Sequence, residues 1–66
     1  MIKIHLSRLL GEHRMTQSEL ARLTGIRPST ISEIYNNICV RIKIEHLNSI
    51  CSVLGCKIGD ILEFYD

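Results

Sequence analysis

Ser29, Thr30, Glu33 and Asn36 fall on one face of a helix, opposite the apolar pair Ile31 and Ile34, because residues three and four apart share a helical face. Hydroxyl, carboxylate and amide groups in such a row can hydrogen-bond to base edges or phosphates. An asparagine such as Asn36 pairs with adenine through both amide atoms, and a carboxylate such as Glu33 accepts from a cytosine amino group. Arg27 stands just before this segment, and Arg41 and Lys43 follow it. They are spaced to bracket it with phosphate contacts, which position a protein without reading sequence. Gln17 opens the preceding helical segment, where free backbone N–H groups and the helix dipole favour an anion. Each of these residues also has an ordinary account as solvated surface. Glu33 is the hardest to place, since phosphate repels it unless it meets a cytosine, pairs with Arg27, or faces a protein instead of DNA.

The elements that must carry these side chains are written between Thr16 and Asn37, TQSELARLTGIRPSTISEIYNN. Thr16 and Glu19 form a T-x-x-E capping box, in which each side chain can satisfy a backbone N–H of the other. Leu20 and Leu23 are expected to point inward with Ala21 beside them. Thr24-Gly25 closes that helix, since glycine tolerates the positive φ that follows a helix end. Pro28 suits the first position of the next helix, having no N–H to donate, and pushes Arg27 out of helical geometry. Asn36-Asn37 ends it, asparagine being next after glycine at a left-handed cap. Two short helices joined by a glycine turn are the grammar of a helix-turn-helix, placed at residues 17–36, whose second helix enters the DNA major groove.

The flanking chain reads as support. Ile2, Ile4 and Leu6 alternate as in a strand, and a first helix is expected from about His5 to His13, with Gly11 costing roughly 1 kcal/mol relative to alanine. Residues 38–43 form a connecting loop with strand-like alternation. A further helix runs from about Ile44 to Leu54, with Leu47, Ile50, Cys51 and Leu54 on one side, and Gly55 stops it. Asp60 can cap a last short helix or turn. Ile61, Leu62, Phe64 and Tyr65 then form an apolar, partly extended tail, and Ile2 and Ile4 could pair with Phe64 and Tyr65 as strands, within one chain or between two.

Sixty-six residues make one domain, residues 1–66, near the lower limit for folding without metal or disulfides. The length leaves little room for a shielded substrate cleft, and no P-loop, G-x-G-x-x-G, H-E-x-x-H or G-x-S-x-G motif occurs. His5, His13 and His46 are scattered. An enzyme is not expected. The net charge of +1 hides an asymmetry: residues 1–43 carry seven basic against three acidic residues, and residues 44–66 carry one against four. The helix-turn-helix lies in the basic part, as a phosphate-contacting surface requires. Cys39, Cys51 and Cys56 contain no C-x-x-C pair, and with His46 they fit no usual zinc spacing. The expectation is therefore reduced thiols in a cytoplasmic protein, with no cofactor. No apolar run approaches the ~20 residues of a membrane span, so no membrane partner is expected.

The segment Gln17–Asn36 resembles the Cro and lambda-repressor class of helix-turn-helix, often called XRE-like. Ala21 falls where that family has a small residue between crossing helices, Gly25 at its turn, and Leu20, Ile26, Ile31 and Ile34 at its core positions. The stretch from Leu47 through Leu54-Gly55-Cys56 to Gly59-Asp60-Ile61-Leu62-Glu63 is similar to a subgroup of short single-domain regulators. The resemblance implies an all-α, five-helix, lambda-repressor-like domain that regulates transcription from double-stranded DNA, usually as a homodimer on paired half-sites. By position it implies Pro28, Ser29, Thr30, Glu33 and Asn36 facing the groove, and Gln17, Arg27, Arg41 and Lys43 on phosphates. Arg27 and Lys43 stand where the family often has capping residues, and Pro28 where it often has a base-reading side chain, leaving apolar contact such as a thymine methyl. A repressor that occludes promoter DNA is the reading drawn from this. The rival is a protein-interaction module, such as the antitoxin of a toxin–antitoxin pair.

Overall fold

The structure is a computed structural model that describes residues 1–39 and 41–66. Its elements run β1 (Ile2–Ile4), α1 (Leu6–His13), α2 (Gln17–Thr24), α3 (Pro28–Tyr35), α4 (Ile44–Leu54), α5 (Ile58–Ile61) and β2 (Leu62–Phe64). The five expected helices are present, and the expected pairing of the chain's ends occurs within one chain. β1 and β2 run antiparallel, with Ile2 opposite Phe64, Lys3 opposite Glu63 and Ile4 opposite Leu62. Val40, part of the expected connecting loop, lies outside the described residues.

The core explains the helix order. Leu6, Leu9 and Leu10 from α1, Leu20 and Ala21 from α2, Ile26 from the turn, Ile31 and Ile34 from α3, Ile50 and Leu54 from α4 and Ile61 from α5 are all buried. α2 packs on both α3 and α4, and α1 on α3 and α5. Among them Leu6, Leu20, Ile31, Ile34, Ile50 and Ile61 are almost wholly excluded from solvent. Truncating such a side chain to alanine costs about 2–5 kcal/mol, against a total of about 3–5 kcal/mol for a core of this size. Leu23, expected to point inward, is instead 46 % exposed. The buried arc of α2 is centred between Leu20 and Ala21, and one helical step of three residues carries Leu23 off its edge.

The turn between α2 and α3 is built by two residues. Gly25 takes φ 74° and donates its N–H to Ala21 O. Thr24 Oγ1 donates to Leu20 O at 2.7 Å and accepts the N–H of Ile26 at 3.2 Å, drawing the chain round toward Pro28. Half of the expected capping box forms at the start of α2. Thr16 Oγ1 accepts from the Glu19 N–H at 3.1 Å, whereas the Glu19 carboxylate turns outward to within 3.9 Å of Arg22. Asp60 caps α5 as expected, accepting the Lys57 N–H at 2.9 Å.

Two side chains tie distant elements together. His13 ends α1 with Nδ1 at 2.9 Å from Leu9 O and Nε2 at 2.9 Å from Leu54 O, joining the C-terminal ends of α1 and α4. Asn37, in left-handed geometry at φ 60°, accepts the Ile4 N–H at 2.7 Å and donates to the Ile4 carbonyl at 3.0 Å. Its amide thus pairs with β1 as another strand would, and fastens the C-terminal end of α3 to the ribbon.

Candidate nucleic-acid interface

α3 presents the site because Ile31 and Ile34 hold its opposite face in the core. Pro28 is its first residue and is exposed, as are Ser29, Glu33 and Asn36, with Thr30 half-buried. Arg27 precedes it without making a side-chain cap. The first-turn amides of α3 therefore face outward, and helix geometry leaves them without intrahelical acceptors. At α2, Thr16 takes the Glu19 N–H, leaving those of Gln17 and Ser18 at a helix end that favours negative charge. Gln17 is half-buried there.

A groove of about 890 Å³ runs between α3, the loop after it and the start of α4. Arg27, Thr30 and Glu33 line one wall; Arg41, Lys43 and His46 line the other; Ile26, Ile34, Cys39 and Ile42 also line it. Five of the residues singled out from sequence thus share one concave surface: Arg27, Thr30, Glu33, Arg41 and Lys43. Gln17, Pro28, Ser29 and Asn36 lie outside it. His46 joins the site without having been singled out. The signal for it is its position three residues after Lys43, which places Lys43 at the cap of α4 and His46 in its first turn.

Charge distribution in the groove is uneven. The ion pairs among the described residues are His5–Glu63, Arg8–Glu12 and Arg22–Glu19. Arg27, Arg41 and Lys43 enter none of them, so no carboxylate among the described residues neutralises them. Glu33 enters none either, and the Arg27 partner suggested for it is not engaged. Lys43, the residue before α4, makes no side-chain cap, so the N–H groups of Ile44 and Glu45 lack an intrahelical acceptor at the start of α4.

Asn36 is held differently from a free reading residue. Its Nδ2 donates to Ser32 O at 2.9 Å and to Ser32 Oγ at 3.3 Å, closing the last turn of α3. A bidentate bond to adenine needs both amide atoms, and one of them is occupied by the helix.

No helix among the described residues is long and apolar enough to cross a membrane, and no group of three or more potential metal ligands comes together. Comparison with known proteins gives a consistent set of likenesses. The family model for the Cro/C1-type helix-turn-helix DNA-binding domain matches residues 5–66. The uncharacterized HTH-type transcriptional regulator YozG of Bacillus subtilis (strain 168) is 33% identical over 63 residues, which cover 96% of this chain and 75% of that protein. Among solved structures, the transcriptional regulator VanUg superimposes with a TM-score of 0.78 at 28% identity, over 94% of this chain and 81% of that one.

Proposed function

The chain belongs to the Cro/C1-type helix-turn-helix DNA-binding family, a family of transcriptional regulators rather than enzymes, and from that premise we propose that it is a sequence-specific repressor. Residues 1–66 act as one Cro-like domain, with the helix-turn-helix at 17–36. α3 enters the major groove with Pro28, Ser29, Thr30, Glu33 and Asn36 toward base edges, and Gln17, Arg27, Arg41 and Lys43 hold phosphates on either side. The protein works in the cytoplasm by covering promoter DNA. One module reads only a few base pairs, so a homodimer on two half-sites supplies the specificity.

The observation that carries this reading is the groove beside α3, where Arg27, Arg41 and Lys43 stand without carboxylate partners among the described residues. Cations left uncompensated around an exposed polar helix match a polyanion whose backbone flanks the element that reads it. Within the groove Glu33 selects rather than attracts: it favours a cytosine amino group and penalises other bases.

The test is selection from a random duplex pool at two salt concentrations, with sequencing of the bound fraction. Enrichment of a palindromic site, weakened by added salt and altered in sequence by Glu33→Gln, is the expected result. Absence of enrichment with folded protein overturns the reading. It would turn attention to a protein partner of the antitoxin kind, with Glu33 at its contact face.

A further inference from the structure

α4 ends in a turn that folds the chain back onto one of its last carbonyls. Gly55 takes φ 61° and donates its N–H to Cys51 O, and the Cys56 N–H reaches the same oxygen at 3.1 Å. Bonds of this kind around a left-handed glycine bring the side chain after the glycine against the one four residues before it. Here both of those side chains are cysteine. Each thiol is half-buried and packs against the core. The third cysteine, Cys39, lines the groove beside α3, and that lining contains neither of the other two.

A disulfide needs Cα atoms within about 7 Å and side chains turned toward each other. The shared bond to Cys51 O supplies that closeness from the backbone itself. The turn is also held on both sides. His13 Nε2 lies 2.9 Å from Leu54 O before it, and Asp60 accepts the Lys57 N–H at 2.9 Å after it. The thiols act on each other as well. The Cys56 thiol is pushed up to about 11 by burial, then by the charge of Cys51 and a hydrogen bond to it, with the charge of Asp60 adding to the rise. A thiol that keeps its proton beside a charged neighbour leaves the attack to that neighbour, because the thiolate is the nucleophile.

We propose that Cys51 and Cys56 are a reversible oxidation site, closing to an intramolecular disulfide across the α4–α5 joint when the protein meets hydrogen peroxide. The Cys51 thiolate attacks one peroxide oxygen; an S–O bond forms, the O–O bond breaks and hydroxide leaves, taking up the proton that Cys51 gave to solvent. The Cys56 sulfur then attacks the Cys51 sulfur. The S–S bond forms, the S–O bond breaks, and the Cys56 proton departs with the hydroxyl as water. Two thiols have lost two electrons between them, and one peroxide has become two waters. A neighbouring thiol stops oxidation at this recoverable stage, whereas a cysteine without one goes on to acids that thiols do not reduce. The bond closes at the opposite end of α4 from Lys43 and His46, so it stiffens the joint without entering the groove. The proposal is independent of the DNA reading.

Cysteine also serves as a small apolar residue, and the experiment separates the two roles. The full reduced chain is treated with about one to ten equivalents of hydrogen peroxide, capped with N-ethylmaleimide and digested with trypsin. Residues 44–57 lie between Lys43 and the cleavage after Lys57, so one peptide holds both thiols. The expected result is a loss of about 2 Da from that peptide with no maleimide added, reversed by dithiothreitol. The Cys39 peptide is capped or carries added oxygen. In the oxidised protein the Cys56 amide exchanges with solvent about tenfold more slowly. Dimedone, which traps sulfenic acid, labels Cys56→Ala about tenfold more than Cys51→Ala, because Cys51 takes the first step and waits for its partner. Full capping of both thiols at the highest peroxide, a bond to Cys39 instead, or equal trapping in the two variants overturns the proposal and leaves the pair as apolar packing.

Discussion

Replacing Asn37 tests how the reading helix is anchored. Asn37→Ala removes two hydrogen bonds to Ile4, each worth about 1 kcal/mol net. It also leaves alanine at φ 60°, where a residue with Cβ and no local hydrogen bond costs about 1 kcal/mol or more. The loss of about 3 kcal/mol rivals the whole stability of a core this small, and at about 4–8 °C per kcal/mol it lowers Tm by roughly 12–24 °C. Asn37→Gly loses the same two bonds without the left-handed penalty, so it retains about 1 kcal/mol relative to alanine. Urea denaturation of the three proteins measures these differences, and hydrogen exchange at the Ile4 amide reports the clamp directly, with faster exchange in both variants. Two results refute the reasoning. If alanine and glycine agree within about 0.3 kcal/mol, the backbone carries no strain there; if both stay within about 0.5 kcal/mol of wild type, the clamp is decorative.

Three further outcomes are expected. Arg41→Ala and Lys43→Ala each weaken DNA binding evenly across sequences and reduce the slope of log K against log salt by about 1; a change in preferred sequence instead would move these residues from phosphate to base. Gly11→Ala raises stability by about 0.5–1 kcal/mol in a thermal melt, because Gly11 sits inside α1 and a Cβ there meets no atom within 4 Å; a lower Tm would show an unrecognised contact. Glu63 is held below its ordinary pKa of 4.5 by hydrogen bonds from Tyr65 and then His5. Its folded-state value is depressed, so its contribution is present above the unfolded value and lost as pH falls through the folded one. Urea midpoints of Glu63→Gln and wild type should therefore converge below about pH 4, and a gap independent of pH would contradict this.

The helix boundaries were legible because the caps are local. Gly25, Pro28, Asn37 and Gly55 each declare a backbone geometry that neighbouring residues do not alter; Ile31 and Ile34 followed from helical spacing, and Ile26 in the turn was implied by the family resemblance. What escaped depends on the third dimension. Leu23 has the right spacing for burial, but the width of the buried arc is set by where α3 and α4 lie. That Ser32 holds the Asn36 Nδ2 was not read from the sequence. His46 entered the site only when the loop after α3 was folded back toward α4. That the chain's ends pair within one molecule is likewise a matter of tertiary arrangement, with β1 set against β2.

The ribbon joins residues that lie far apart along the chain. β1 is made well before its partner β2, Ile4 and Leu62 lying 58 positions apart. At about 5–20 residues per second, β1 waits roughly 3–12 s for a strand to pair with. Ile2 and Ile4 stay uncovered through that interval. The helices α1 to α4 can gather meanwhile, and Asn37 emerges in time to grip β1 along its outer edge well before β2 arrives. Pairing of the ribbon thus waits on β2, against a strand that Asn37 can already hold.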